Sequence, residues 1–526
     1  MKLFPVLSLA LFTSGFLQAE TSVLQPNDRI VFVGDSITGQ GAGTTGWAGL
    51  IGEALKATHP DGNFTIISLG GSGQGVGSWQ NIEKKSRAES VILDVKTLDV
   101  KTELGQPANV VISMLGMNDI LFPRMRMTPE DYAKWGASYL ELINAIKERT
   151  KPRVVALATP TMCTEDPAAP KNVAMRELHN QITTLAKSEG FTVLPTYETM
   201  QSLLNEGRGY TPDFHVTGDS VHPNAAGHLA IAIGMLKGLG ETSAAQYLYD
   251  KYSPKLWNKD SATLSWTVEN LPGSPDAESQ QYRIHYFSHV VGEKVTLDLP
   301  EGWKIVSGQV GEPTGEVVVE GIPNRLVNPL ILKAGSQQTK IPLPAPWLIG
   351  TGNEGGGNWV QNTTYDPEKA KHEVDEALSK GDGFGTPIEL KPGKPLVWKR
   401  HFASPDLAGG ISPGAIDMAG VTFYQTFDVG YGARWIQSPT ARPLTLRVRS
   451  MGFANGSYLT IWLNGEKVFG NHIKTAKDVG DVTIQLKAGW NALVFKSNHL
   501  QTQWQFAIDL EGDNLNELTL STHPPK

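Results

Sequence analysis

The stretch VFVGDSITGQ, Val31 to Gln40, places three apolar residues directly before Gly34, Asp35 and Ser36. An apolar run followed by glycine is typical of a buried strand that ends in a tight bend. In an open parallel sheet, ligands lie beyond the carboxyl ends of the strands, so a side chain at this position is a candidate for chemistry. We therefore interpret Ser36 as a nucleophile.

Apolar runs alternate with helical patterns from Arg29 to about Gly240, which indicates a parallel sheet covered by helices on both faces. The predicted strands are Ile30–Val33, Phe64–Ser68, Asn109–Met114, Val154–Ala158 and Thr192–Pro195. The predicted helices are Trp47–Ala57, Pro129–Glu148, Lys171–Ser188 and Ala225–Leu239, with Pro129 in a first turn. The expected fold class is therefore α/β, a three-layer α/β/α sandwich.

Beyond Tyr252 short alternating runs such as ATLSWTVE, KVTLDLP and GEVVVEG predict a small β-sandwich at about 255–340, and IPLPAPWLIG is predicted to link it onward. The rest of the chain predicts one helix, Asp366–Lys380, and a β-sandwich or jelly roll, with Asn464-Gly465 as a hairpin turn. The expected division is a signal peptide at 1–19, an α/β domain at 20–252, a small β-sandwich at 255–340 and an accessory domain at 341–526.

The first residues, MKLFPVLSLALFTSGFLQA, combine Lys2, a short apolar run and a small residue, Ala19, at the expected cleavage point. We interpret them as a secretory signal, which implies a secreted or periplasmic protein without a membrane-spanning segment after cleavage. The alternative is a buried N-terminal helix or a retained anchor.

Net charge and cysteine content limit the classes of partner and the disulfides that the chain can form. The net charge of −7 becomes −8 when Lys2 is removed, and this mild acidity argues against a nucleic-acid partner. The single Cys163 cannot form an intrachain disulfide, and we interpret it as a small buried hydrophobe, with a catalytic thiol as the alternative.

Four short motifs in the α/β region end on, or contain, residues with catalytic potential. They are VGDS ending at Ser36, GGSG ending at Gly73, GMND containing Asn118, and DSVH from Asp219 to His222. The first three follow successive strands and the fourth precedes what is predicted to be the last helix of the region, so we expect all four at one edge of the sheet.

The residue types fit nucleophilic catalysis. A serine hydroxyl needs a neighbouring base, and His222 is the candidate, with Asp219 three residues earlier to hold the imidazole tautomer. The backbone N–H groups of Ser36 and Gly73 and the side-chain amide of Asn118 are candidate donors to an oxyanion.

These blocks resemble those of the SGNH hydrolases, also called the GDSL esterase and lipase superfamily, over roughly residues 27–240. The resemblance implies a flavodoxin-like domain with Ser36, Asp219 and His222 as catalytic residues and with Ser36, Gly73 and Asn118 as the oxyanion hole. Two positions depart from the family pattern: Ile37 stands where the family has a leucine, and Ser68 stands where the second block often has an asparagine.

Other candidate residues are given structural interpretations. His215 and His228 are expected to be structural, and Asp35 and Asp119 to make loop hydrogen bonds. GAGTTG, Gly41 to Gly46, fits G-x-G-x-x-G but begins too far after the strand for a dinucleotide site, so we assign it to the rim of the candidate site. No spacing suggests a metal site, and no cofactor is expected.

The strands near SYLTIWLNGEKVF and VTIQLKAGWNALVFKS resemble galactose-binding-like and related accessory domains of secreted polysaccharide-active enzymes. Trp462, Trp490 and Trp504 are expected to be core residues rather than sugar-stacking platforms. The predicted function is a secreted serine esterase acting on an acylated carbohydrate, most of all an acetylated one. The alternatives are a lipase, thioesterase or lysophospholipase of the same fold, or a noncatalytic glycan-binding protein.

Overall fold

The structure is a computed structural model that describes residues 22–95, 98–121, 128–163, 165, 167, 170–211, 214–219, 221–257, 264–271, 278–353, 373–391, 394–402, 415–418, 428–450, 457–473, 480–498 and 505–523. The predicted signal peptide, residues 1–19, and Trp504 lie outside these ranges. Within them, no helix is long and apolar enough to cross a membrane.

A parallel sheet forms the centre of the N-terminal region. Its strands in the described chain are β1 (Arg29–Gly34), β2 (Thr65–Gly70), β3 (Val110–Met114), β4 (Val154–Ala158) and β5 (Thr192–Leu194). They pair in parallel in the order β2-β1-β3-β4-β5, which is the flavodoxin-like order. All the predicted strands are present, and their ends differ from the predicted ones by at most two residues. Gly34 pairs with Gly70 and with Met114, so the first three strands end at the same level.

Helices cover both faces of this sheet. They are α1 (Ser36–Gly41), α2 (Trp47–Thr58), α3 (Val76–Ser86), α4 (Val100–Leu104), α5 (Met117–Leu121), α6 (Pro129–Thr150), α7 (Pro170–Glu189), α8 (Thr196–Tyr210), α9 (Ala225–Gly238) and α10 (Thr242–Tyr252). Contacts group α1, α2, α8, α9 and α10 in one layer and α3 to α7 in the other, which confirms the three-layer sandwich. The sequence prediction that α9 is the last helix of this region was wrong, because α10 follows it and packs against it.

Local chemistry accounts for the start of the longest of these helices. Thr128 accepts a hydrogen bond from the backbone N–H of Asp131, and the Asp131 carboxylate accepts one from Thr128 N, so two free donors of the first turn are satisfied. Pro129 occupies the first helical position, as predicted, where its missing N–H costs nothing. The helix therefore begins where the sequence places it.

Two antiparallel sheets follow the α/β region. One contains β6 (Leu264–Asn270), β7 (Gln280–Ser288), β10 (Thr314–Gly321) and β9 (Lys304–Gly308), and the other contains β12 (Gln337–Pro344), β11 (Val327–Ala334) and β8 (Val295–Asp298). Tyr282, Ile284 and Val317 from the first sheet share one buried cluster with Leu332 and Ile341 from the second. The two sheets therefore pack face to face as a sandwich.

The segment IPLPAPWLIG is mostly strand rather than the link that was predicted. β12 continues through the predicted boundary at residue 340 to Pro344, and β13 (Trp347–Asn353) begins three residues later. Only Ala345 and Pro346 connect them, and the buried Arg434 donates hydrogen bonds to both of their carbonyl oxygens. The domain boundaries themselves stay predictions.

The C-terminal region contains larger antiparallel sheets. Its elements are α11 (Asp375–Ser379), β14 (Glu389–Lys391), β15 (Lys394–Pro395), β16 (Val397–His401), β17 (Ala415–Asp417), β18 (Asp428–Ser438), β19 (Arg442–Ser450), β20 (Ser457–Leu463), β21 (Glu466–Ile473), β22 (Gly480–Leu486), β23 (Gly489–Asn498), β24 (Gln505–Glu511) and β25 (Thr519–Ser521). The sheet β16-β13-β18-β23-β20-β21 shares a buried cluster with the sheet β17-β24-β19-β22, so this region is also a sandwich.

Several finer predictions for this region can be compared with the structure. Asn464 and Gly465 both have positive φ, 53° and 88°, as the predicted hairpin turn requires. Of the predicted helix Asp366–Lys380, the described residues include α11, Asp375–Ser379, and residues 366–372 lie outside the described chain. Trp462 and Trp490 are half-buried against a hydrophobic cluster on the outer face of the larger sheet, so their core role rather than sugar stacking stays a prediction. The galactose-binding-like resemblance stays a prediction.

Candidate active site

Ser36 is the first residue of α1, directly beyond the carboxyl end of β1. The helix is capped by Asp35, whose Oδ1 accepts a hydrogen bond from Ile37 N at 2.9 Å, so the Ser36 hydroxyl is not used as a cap. Gly34 is required in this bend, because a Cβ there would lie 2.0 Å from Thr38 Oγ1 and 2.8 Å from Met114 O. The tight turn leaves the Ser36 side chain half-buried at the sheet edge.

Ser36, His222 and Asp219 form one chain of hydrogen bonds. Ser36 Oγ lies 2.9 Å from His222 Nε2, and His222 Nδ1 lies 2.7 Å from Asp219 Oδ2. A carboxylate can only accept, so Nδ1 carries the proton and Nε2 is left to accept the serine proton. The three residues are thus arranged for proton transfer from the hydroxyl to the imidazole.

Asp219 is held in place by its own backbone neighbours. Its Oδ1 accepts from Val221 N at 3.0 Å and from His222 N at 2.7 Å, so the three-residue spacing closes one turn around the carboxylate. Partial burial raises the pKa of Asp219, but the hydrogen bonds from His222 and Val221, together with the charge that His222 carries when it is protonated, outweigh burial and hold the pKa below its usual range. Asp219 is therefore ionised at neutral pH.

Asn118 connects the loops that follow β1 and β2. It lies in α5, just beyond β3, and its Nδ2 donates to Gln74 O at 3.0 Å and to Asp35 Oδ2 at 3.3 Å. Gly73 is exposed beside Gln74 with φ of 69°, and its N–H donates to none of the described residues. The structure therefore brings all four motifs to one edge of the sheet.

Ser68 lies where the family pattern often has an asparagine. Its Oγ donates to Thr38 O at 2.9 Å and so joins β2 to α1. The loop that carries Gly73 is instead held by Asp94, whose Oδ1 accepts from Ser72 N at 2.9 Å. Asp94 is a residue that sequence reasoning missed, because nothing near it in sequence indicates its partner.

Asp35 and Asp119 make loop hydrogen bonds, as expected. The Asp119 carboxylate accepts from Val76 N at the start of α3, at 3.2 and 3.3 Å. Burial raises the pKa of Asp35 to about 7, although the hydrogen bond from Ile37 and the charge of His222 lower it. A carboxyl group that is neutral in mildly acidic solution therefore lies directly behind Ser36.

Two tryptophans fix the backbone around Ser36 and were missed in the sequence. Trp79 Nε1 donates to Gly34 O at 2.8 Å, and Trp47 Nε1 donates to Ile37 O at 3.1 Å. Both rings are fully buried. Indole N–H groups that reach into the core need such partners, but their spacing from Ser36 along the chain does not show which carbonyls they meet.

The residues given structural interpretations behave as follows. Cys163 is buried, in agreement with a small hydrophobe. His228 lies on α9, where burial lowers its pKa to about 4. His215 Nδ1 lies 2.9 Å from Glu165 Oε2, in a buried cluster that the sequence did not reveal. No group of three potential metal ligands occurs among the described residues.

Comparisons with known proteins match the N-terminal region. Residues 32–230 match the family model described as the GDSL-like Lipase/Acylhydrolase family. An acetylxylan esterase from Geobacillus stearothermophilus is a structural match at 19% identity and a TM-score of 0.33, covering 41% of this chain and 96% of that one. An α/β-hydrolase enzyme from the metagenome of Lake Arreo, Spain, matches at 22% identity and a TM-score of 0.33, covering 42% and 98%. No curated protein matches the chain in sequence.

Proposed function

We propose that this protein is a secreted serine esterase that removes acyl groups, most of all acetyl, from carbohydrate. The match of residues 32–230 to the GDSL-like lipase and acylhydrolase family supports an ester hydrolase. The observation that carries the proposal is the hydrogen-bonded chain from Ser36 through His222 to Asp219, with distances of 2.9 and 2.7 Å. A hydroxyl, an imidazole and a carboxylate in this order are the working parts of a serine hydrolase.

In the acylation step, Ser36 Oγ attacks the carbonyl carbon of the ester while its proton moves to His222 Nε2. Asp219 accepts the hydrogen bond from Nδ1 and stabilises the positive imidazolium. The bond from the carbonyl carbon to the sugar oxygen then breaks. That oxygen takes the proton from Nε2, the carbohydrate leaves as an alcohol, and the acyl group stays on Ser36.

Deacylation repeats the sequence with water. A water molecule gives a proton to His222 Nε2 as its oxygen attacks the acyl carbon. The bond to Ser36 Oγ breaks, the serine takes the proton back from Nε2, and the acid leaves as the second product. The enzyme returns to its starting state without any net change in protons or charge.

Both steps place negative charge on the carbonyl oxygen. We assign its stabilisation to the backbone N–H groups of Ser36 and Gly73 and to Asn118 Nδ2, each of which would contribute about 3 kcal/mol in a poorly solvated site. For Asn118 to serve, the long 3.3 Å contact with Asp35 gives way to the oxyanion, while the 3.0 Å bond to Gln74 O keeps the amide oriented.

Two features support a carbohydrate substrate and an exported enzyme. The α/β domain is followed by β-sandwiches, and an appended domain that holds a polymer raises the local concentration of its ester groups without altering the chemistry. The first nineteen residues have the pattern of a secretory signal. Acetyl is the smallest carboxylic acyl group to occur widely as an ester, and it requires no long acyl groove beside Ser36.

The test is acetate release from a panel of acetylated polysaccharides, together with hydrolysis of 4-nitrophenyl esters of increasing acyl length. We expect the wild-type protein to prefer acetyl and S36A to lose activity by several orders of magnitude, because the hydroxyl is the attacking group. S188A, an exposed serine near the end of α7, is the matched control and should retain full activity. Full activity of S36A would refute the assignment, and a preference for long acyl chains would favour a lipase or lysophospholipase.

A further inference from the structure

The loop that carries His222 has little regular secondary structure. This histidine loop, residues 214–219 and 221–224, runs from the end of α8 to the start of α9. Within it, Gly218 N donates to His222 O at 2.8 Å and Asn224 N donates to Val216 O at 3.0 Å. These bonds close the loop on itself, but they do not connect it to the rest of the domain.

Glu165 makes that connection. It lies between β4 and α7 and is fully buried. Its Oε1 accepts hydrogen bonds from Val216 N at 2.7 Å, from Thr217 N at 2.8 Å and from Thr217 Oγ1 at 3.1 Å. One carboxylate oxygen thus holds two consecutive residues of the histidine loop, ending two residues before Asp219.

The positive charge of Arg208 compensates the negative charge of Glu165 at the other carboxylate oxygen. Oε2 accepts from Arg208 Nη2 at 2.9 Å, and His215 Nδ1 also lies 2.9 Å away. Arg208 is buried in α8 and donates through Nε to Phe214 O at 3.2 Å, at the other end of the same loop segment. Burial raises the pKa of Glu165, but these partners outweigh it and hold the pKa below its usual range. Glu165 is therefore an ionised anchor inside the domain.

We propose that Glu165 is a positioning residue of the esterase, which fixes the histidine loop so that His222 stays within hydrogen-bond reach of Ser36. The inference rests on the proposed function. Glu165 does not touch the reacting atoms; it acts through Val216 and Thr217 on the segment that begins the turn of Asp219 and His222. A displacement of about 1 Å at a reacting group can cost about 100-fold in rate, so a loose loop would be visible in kinetics.

The experiment compares two substitutions in the full-length mature protein, E165A and E165Q. Both leave Arg208 without its carboxylate, so both should melt below wild type. Only E165Q keeps an oxygen that can accept from Val216 and Thr217. We expect E165A to lose about 100-fold in kcat toward 4-nitrophenyl acetate and in the rate of Ser36 labelling by a fluorophosphonate, with KM unchanged within about twofold. E165Q should lose no more than about 10-fold.

E83Q is the matched control. Glu83 is a buried carboxylate on α3 that pairs with Arg87 and Arg149, away from the histidine loop. It should lower the melting temperature and leave kcat unchanged. Any of three results would overturn the proposal. They are equal losses of kcat in E165A and E165Q, a kcat and labelling rate of E165A within about threefold of wild type, or an effect confined to KM.

If E165A does not fold, T217V replaces it, because it removes only the 3.1 Å contact with Glu165 Oε1. A labelling rate reduced by about threefold or more supports the proposal, and an unchanged rate overturns it. Failure of the proposed function is a separate result: wild-type protein would then show no labelling that depends on Ser36. Labelling requires no knowledge of the natural substrate, so the two failures are distinguishable.

Discussion

Substitution of Asp35 by Asn tests the electrostatics behind the candidate nucleophile. Asp35 is buried, its Oδ1 caps α1 through Ile37 N, and its Oδ2 lies 3.3 Å from Asn118 Nδ2. Burial raises its pKa from the ordinary value of 3.8 to about 7. An asparagine side chain preserves the size and one acceptor oxygen but carries no charge at any pH.

The sign of the pH effect follows from the direction of the shift. At pH 4 the folded protein keeps this carboxyl protonated, whereas the unfolded chain, with a pKa of 3.8, has lost the proton in somewhat more than half of its molecules, so the cost to folding is still below about 1 kcal/mol. As the pH rises to 7, the carboxyl group ionises in the unfolded chain but stays largely protonated in the folded protein, so the free energy of unfolding falls. Above pH 7 both states are ionised, and this decrease in stability no longer changes with pH. Since a difference of one in pKa corresponds to about 1.4 kcal/mol, the rise from 3.8 to about 7 costs the wild type about 4 kcal/mol.

The measurement is the free energy of unfolding of wild type and D35N by calorimetry from pH 4 to pH 8. We expect the difference between D35N and wild type to move in favour of D35N by about 4 kcal/mol over this range. V111A, which removes two buried methyl groups from β3, identifies the transition of the α/β domain and should cost about 2 kcal/mol at every pH. A D35N difference that changes by less than about 1 kcal/mol would refute the reasoning.

Two further predictions concern geometry at the site. D219N removes the charge that holds the His222 tautomer through the 2.7 Å bond. In a folded protein, kcat/KM toward 4-nitrophenyl acetate should therefore fall about 10³- to 10⁴-fold. A loss below about tenfold would contradict the role of Asp219. G70A would place a Cβ 2.0 Å from Gly39 N and 2.6 Å from Asp35 O; it should cost about 1–3 kcal/mol in unfolding experiments and slow Ser36 labelling. G77A, where a Cβ meets nothing within 4 Å on helix α3, is its control and should be neutral or stabilising.

The main features of the α/β domain could be predicted from local patterns. The strands β1 to β5 are apolar runs, since a parallel sheet is buried on both faces, and the helix α6 begins at Thr128 and Pro129 because its first turn needs a cap. The short helix α1 was not predicted, because two glycines in six residues give it little intrinsic helix propensity; Asp35 and Trp47 hold it instead. α8 and α10 were not predicted either, although each buries apolar residues along one face.

The candidate site shows the same division. Ser36 and Asn118 were predictable because strand ends in a parallel sheet meet at one edge, and His222 because its motif comes directly before a predicted helix. Residue types and their order along the chain thus already indicate a shared location. The residues that hold them, Asp94 and Glu165, were not. Each acts through hydrogen bonds to backbone groups at least 22 residues away, and any sequence offers many carboxylates for such a task.

By itself the sequence determined which residues are apolar and where the chain turns, and hence the strands, the sheet edge and the chemical groups gathered there. Only the tertiary structure decided which buried carboxylate anchors the histidine loop, how strongly burial acts on Asp35, and where β12 meets β13. The physical reason is the distance along the chain over which each effect acts. Backbone propensity and hydrophobic periodicity act over a few residues, whereas desolvation and hydrogen-bond satisfaction depend on every group that packing brings into contact.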